Sequence, residues 1–118
     1  ITIHTPLMPS TKNLINGDLI GLMKKDAILI NAARGGIVDE TALLSALKDK
    51  KIRGAGVDVF STEPVPVPNE WQTLENVVLS PHVGASTEEA QFRVGEMAVH
   101  QMREFFINKN LLNEVKAK

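Results

Sequence analysis

Four side chains of chemically useful types stand where short apolar runs end: Arg34, Asp58, Glu63 and His82. A histidine has its pKa close to physiological pH and can give or take a proton. An arginine offers a planar fork that binds a carboxylate bidentately and can polarise an adjacent carbonyl. A carboxylate hydrogen-bonded to an imidazole fixes the ring's tautomer and favours its protonated form, raising its pKa. Together Arg34, Glu63 and His82 suit reversible proton transfer on a small 2-oxo or 2-hydroxy acid. They supply no hydride or electron carrier, which a cofactor would have to bring. Taken singly, each has a plain structural alternative: Arg34 as a surface turn residue, Glu63 as a solvated acid before proline, His82 as a loop histidine. Asp58 is harder to explain that way, because a carboxylate inside an apolar run must find a partner or a ligand.

The elements that would position these groups read as strands and helices in alternation. Ile1 to His4 forms a short strand, and Thr5-Pro6-Leu7-Met8-Pro9 forms a loop that its prolines keep irregular. Asn16 caps a helix over Asp18 to Lys24 with Leu19, Leu22 and Met23 on its apolar face. Asp26 to Asn31 is a continuous apolar run, the pattern of a strand covered on both faces in a parallel sheet. It ends in Ala32-Ala33-Arg34-Gly35-Gly36, where two glycines permit a tight turn. Val38, Asp39 and Leu43 fit a hydrophobic staple around an Asp N-cap, opening a helix from Glu40 to about Lys50 with Leu43, Leu44 and Leu47 towards the sheet.

Ala55 to Phe60 reads as a third buried strand. A proline-rich loop follows, with Trp71 as its buried anchor. Asn76 to Leu79 is a fourth buried strand that stops at Ser80-Pro81-His82. Pro81 fixes its own φ and stiffens the backbone before the imidazole. Ser86-Thr87-Glu88-Glu89 has the form of a capping box. The helix it starts runs to about Ile107, with Ala90, Val94, Met97, Ala98, Met102 and Phe105 as an apolar stripe, and the expectation is that this chain alone does not cover it. The order predicts a βαβ sheet with right-handed crossovers and one ligand-binding edge at the strands' carboxyl ends.

With 118 residues, 43% of them hydrophobic and 23% charged, the chain has the size and composition of one globular domain. A net charge of −1 gives no electrostatic case for a nucleic acid or an acidic membrane, and neither partner is expected. The absence of cysteine excludes disulfides and thiolate chemistry and is compatible with a cytoplasmic setting. No apolar run approaches ~20 residues, so a soluble chain is expected. His4 and His100 lack partners at metal-ligand spacing and read as structural; no metal site is expected. The chain opens directly on a strand without an initiator methionine, which predicts that it lies within a larger protein. Hydrolysis by Ser80 or Ser86 with His82 fits poorly, since neither serine sits in a G-x-S-x-G elbow.

Three spaced motifs carry a family resemblance: Asn31-Ala32-Ala33-Arg34-Gly35-Gly36-Ile37-Val38-Asp39, then Gly54 to Phe60 with Glu63-Pro64, then Ser80-Pro81-His82-Val83-Gly84-Ala85-Ser86-Thr87. In this order they resemble the D-isomer-specific 2-hydroxyacid dehydrogenases over nearly the whole chain. The run from Gly84 to Gln91 resembles the phosphoglycerate dehydrogenases of that family, which makes 3-phosphoglycerate the implied substrate. The resemblance implies a partial Rossmann-type α/β fold, a parallel sheet with flanking helices and a long C-terminal helix. Residues 1–118 would be a single domain, the C-terminal half of a dinucleotide-binding domain.

The resemblance further implies NAD as cofactor and a homodimer built through nucleotide domains. Arg34 would bind the substrate carboxylate and carbonyl, His82 would be the acid/base, and Glu63 its paired carboxylate. Asp58 would hold the nicotinamide carboxamide, with Thr5, Pro6, Ala32, Ala33, Arg34, His82 and Gly84 also along the cofactor. The family's G-x-G-x-x-G phosphate loop is absent, and neither Gly35-Gly36 nor Gly54-Ala55-Gly56 reproduces it. The expectation is a catalytic half-domain that by itself binds NAD weakly and turns over little. The alternative is a non-catalytic chain, either a fragment that associates through exposed apolar surface or a corepressor-like module that binds NAD and partner proteins.

Overall fold

The computed structural model describes residues 1–116. Its elements are β1 (Thr2–Ile3), α1 (Gly17–Gly21), β2 (Ile28–Asn31), α2 (Glu40–Lys48), β3 (Gly54–Val57), a 3-10 turn (Glu70–Thr73), β4 (Val77–Leu79) and α3 (Glu88–Asn108). The four strands form one parallel sheet in the order β1-β2-β3-β4. Two compact units result, one from Ile1 to Val83 and one from Gly84 onward.

Strand order equals chain order, so every crossover advances in the same direction. Right-handed crossovers then put their helices on one side of the sheet. Ile20 of α1 and Leu43, Ala46 and Leu47 of α2 accordingly pack in one core with Ile3, Leu29, Ala55 and Val57. The other sheet face stays open among the described residues: Ile28 and Ile30 are each 44% exposed and Val78 75%. The expectation of burial on both faces therefore fails for β2, which alternates exposed and buried positions, and for β4, whose residues are half-buried or exposed, but holds for β3, where Gly54, Ala55 and Val57 are buried. Continuous apolar runs record what a strand can tolerate on each face, whereas coverage depends on which helices reach it.

Local signals explain the helix boundaries. Asn16 caps α1 by accepting from Leu19 N–H, as expected, but the helix ends at Gly21. So short a helix turns only one side chain inward. That side chain is Ile20, not Leu19 or Leu22, and Leu22 is 81% exposed. Asp39 caps α2 by accepting from Ala42 N–H at 3.0 Å, with Val38 and Leu43 buried on either side as a staple requires. In the second unit Thr87, not Ser86, caps α3 by accepting from Ala90 N–H at 3.1 Å. With 21 residues α3 is about 32 Å long. It has no buried residue, and Phe92, Val94, Met97, Val99 and Met102 are all exposed. Trp71 is buried and meets Phe60 edge-on at 5.9 Å, which anchors the proline-rich loop to the core.

Candidate active site

The registers place Asn31, Val57 and Leu79 in one row at the carboxyl ends of β2, β3 and β4. The segments leaving that row carry Arg34, Asp58 with Glu63, and His82, so all four sequence-selected groups belong to one edge of the sheet.

Asn31 organises the first segment. Its buried side chain donates from Nδ2 to Arg34 O at 3.1 Å and accepts at Oδ1 from Ala33 N–H at 3.2 Å, which closes the Ala32–Arg34 turn. Sequence reasoning misses this role; the signal it offers is a polar residue at the end of an apolar run. The Arg34 guanidinium turns back to donate to Ala33 O at 2.7 Å. Gly35 then passes so close to the next segment that a Cβ would lie 1.9 Å from Phe60 O, and Gly36 adopts φ +76°. Only glycine meets both demands.

Asp58 finds the partners that its burial requires. Its Oδ1 accepts from Ser80 Oγ at 2.5 Å and from Val83 N–H at 2.9 Å, while its backbone oxygen accepts from His82 N–H at 2.8 Å. The residues on both sides of the histidine are thus tied to one aspartate. His82 itself has φ +57°, the left-handed region, which costs a non-glycine residue about 1 kcal/mol or more and persists where surrounding bonds hold it. Ser80 is committed to Asp58, which removes it as a nucleophile.

Glu63 accepts at Oε1 from Phe60 N–H at 2.8 Å, and its Oε2 lies 2.8 Å from His82 Nδ1. The His82 hydrogen bond, then the Phe60 N–H, holds the Glu63 carboxyl below its ordinary value of 4.5. An ionised carboxylate can only accept, so the shared proton sits on Nδ1 and Nε2 is the ring atom left for proton exchange. Both side chains remain partly exposed, His82 at 44% and Glu63 at 36%.

Two cavities of about 400 Å³ flank this edge. One is lined by Glu63 and His82 with Phe60, Pro64, Val65 and Leu79. The other is lined by Thr5, Pro6, Ala32, Ala33 and Arg34. Arg34 and the Glu63–His82 pair therefore share an edge but line different cavities. A third cavity, about 990 Å³, lies by Asp26, Arg53 and Asn76 at the strands' amino ends and contains none of these groups.

The sequence model described as D-isomer specific 2-hydroxyacid dehydrogenase, NAD binding domain, matches residues 1–84. The chain belongs to this family. It is 52% identical over 103 residues to the D-3-phosphoglycerate dehydrogenase of Methanocaldococcus jannaschii, covering 87% of this chain and 20% of that protein. It is 47% identical over 102 residues to the glyoxylate/hydroxypyruvate reductase B of Enterobacter agglomerans, covering 86% of this chain and 32% of that one. Among solved structures, a D-lactate dehydrogenase from a Sporolactobacillus species superposes with a TM-score of 0.86 at 34% identity, over 98% of this chain and 39% of that chain. The chain thus spans a third or less of the length of these two relatives. The expected Rossmann-type α/β fold, with parallel sheet, flanking helices and long C-terminal helix, is the fold observed.

The chain belongs to a family of NAD-binding domains, and its carboxyl edge has room for part of such a cofactor. The small side chains of Ala32 and Ala33, opposite Thr5 and Pro6, leave open space at the carboxyl edge where such ligands bind. No G-x-G-x-x-G run is present to hold the pyrophosphate.

Proposed function

We propose that this chain is the chemistry-bearing half of a dinucleotide domain in an enzyme that interconverts a D-2-hydroxy acid and its 2-oxo acid, with 3-phosphoglycerate as substrate. The observation that carries the reading is the Glu63–His82 pair, whose bonds leave Nε2 for proton exchange at the ligand-binding edge of the sheet. The family membership and the phosphoglycerate dehydrogenase of M. jannaschii support it.

Bound NAD would accept or donate the hydride. His82 Nε2 would take the hydroxyl proton as the acid is oxidised and return it to the carbonyl oxygen in reduction. Glu63, ionised and hydrogen-bonded to Nδ1, would hold the ring's tautomer and balance the positive charge it acquires. Arg34 would release Ala33 O and grip the substrate carboxylate with its fork, beside the carbonyl. Thr5, Pro6, Ala32, Ala33 and Gly84 would line the nicotinamide end, and Asp58 would hold its carboxamide while tying down the histidine turn.

The test is NADH oxidation on phosphohydroxypyruvate, hydroxypyruvate and glyoxylate by the enzyme carrying these residues, with and without His82→Ala. The expected result is fastest turnover on phosphohydroxypyruvate and a kcat ~10²-fold lower in the variant. Near-normal turnover by the variant would remove His82 from the chemistry.

A non-catalytic reading has one observation in its favour, that α3 has no buried residue, so its exposed apolar side chains would then serve association. Substrate turnover that depends on His82 decides against it.

A further inference from the structure

The Glu63–His82 pair depends on where Phe60 directs its N–H, and the backbone there is held by a residue outside the site described above. At Phe60, one N–H goes to Glu63 Oε1 at 2.8 Å. The next N–H, on Ser61, goes to Glu40 Oε1 at 2.6 Å, and the Ser61 hydroxyl donates to the same oxygen at 2.7 Å. Glu40 is the first residue of α2, where the helix N-terminus favours a negative side chain, and it is partly buried. Gly35 presses on the same Phe60–Ser61 peptide, and Phe60 is itself buried against Trp71. The peptide is therefore packed on its Gly35 side and bonded on its N–H side to a rigid helix.

We propose that Glu40 is a positioning residue for the acid/base pair: by holding Ser61 it orients the Phe60–Glu63 turn, and through Glu63 it orients the His82 imidazole. The inference rests on the reading of His82 as acid/base, but its geometry does not. A loop cannot aim a carboxylate to hydrogen-bond accuracy unless its own backbone is fixed, and misplacement of a reacting group by ~1 Å can cost ~10²-fold in rate. Two charge-assisted bonds to one carboxylate oxygen supply that restraint across a separation of 21 residues in sequence. The acceptor is an oxygen, so glutamine at position 40 can replace it and alanine cannot.

Two measurements test this. In the 118-residue chain, a carboxyl 13C titration of Glu63 reads its environment, which faces His82, Asp58 and the Phe60 N–H. Glu40→Ala should raise the Glu63 midpoint towards the ordinary 4.5, because the Phe60 N–H is no longer held in place, while Glu40→Gln should leave it unchanged. In the enzyme, Glu40→Ala should lower kcat roughly tenfold with KM for the 2-oxo acid within about twofold, and adding it to Glu63→Gln should cost nothing further. Should Glu40→Ala fail to fold, Ser61→Ala removes one of the two bonds and should shift the titration the same way by less. An unmoved Glu63 titration with unchanged kcat in Glu40→Ala would overturn the proposal, as would equal damage by the glutamine variant. Full turnover by His82→Ala would instead refute the acid/base reading and leave the titration result standing.

Discussion

At the scale of single residues, the pair of bonds on Glu63 has a consequence for pH. Its folded pKa lies below the unfolded value, so its interactions with His82 and Phe60 N–H are fully present above about 4.5 and are lost as the pH falls through the lower folded value. The expected outcome is that the Nδ1–H signal of His82, followed by 1H–15N NMR, persists through neutral pH and disappears in acid. In Glu63→Gln that acid transition should be missing; its survival would mean that another group controls the contact. For Arg34, the planar fork matters more than the charge. Arg34→Lys should lower kcat/KM for the 2-oxo acid by tenfold or more with NADH affinity preserved, and an unchanged kcat/KM would take Arg34 out of the substrate site. Both residues were legible in the sequence by type and by position after an apolar run. What could not be read was that Arg34 turns back on Ala33 O, since a side chain's rotamer answers to its tertiary neighbours.

At the scale of elements, capping and turn chemistry did most of the placing. Asp39 and Asn16 are N-caps as their neighbours imply, because a cap is decided within four residues of sequence. The cap of α3 shifted by one residue, from Ser86 to Thr87, since both hydroxyls precede acidic residues and local sequence offers both frames. Gly35 shows the opposite case: the sequence marks a turn, but the reason for glycine is a backbone of another segment lying on top of it. Gly35→Ala should therefore destabilise the fold by about 3 kcal/mol, the upper range for overpacking, in urea unfolding of the chain. A loss under 0.5 kcal/mol would show that the Phe60–Ser61 segment yields easily. Asp39→Ala should cost about 1 kcal/mol in the same measurement, through loss of the cap alone.

At the scale of the whole molecule, apolar surface is the dominant feature that local patterns could not forecast in full. The apolar stripe on α3 follows from its period, and its side chains are exposed. The open face of the sheet, with Ile28, Ile30 and Val78, was not predicted. Exposed apolar area on this scale favours association, so the thermal midpoint of the purified chain should rise with protein concentration across ~10–500 μM. A midpoint independent of concentration would mean that both surfaces tolerate water.

The sequence by itself determined the alternation of strands and helices, two of the three α-helix caps, the glycine turn and the types of residue delivered to one sheet edge. These depend on interactions within a few residues and on the common direction of parallel strands. Only the tertiary structure decided which of those residues meet. Glu63 reaches His82 across 19 positions and Glu40 reaches Ser61 across 21, and Asp58 holds the turn around His82 in a left-handed backbone. Such contacts form only when separate segments are brought together by a shared core. Their existence is a property of the packing rather than of any stretch of chain.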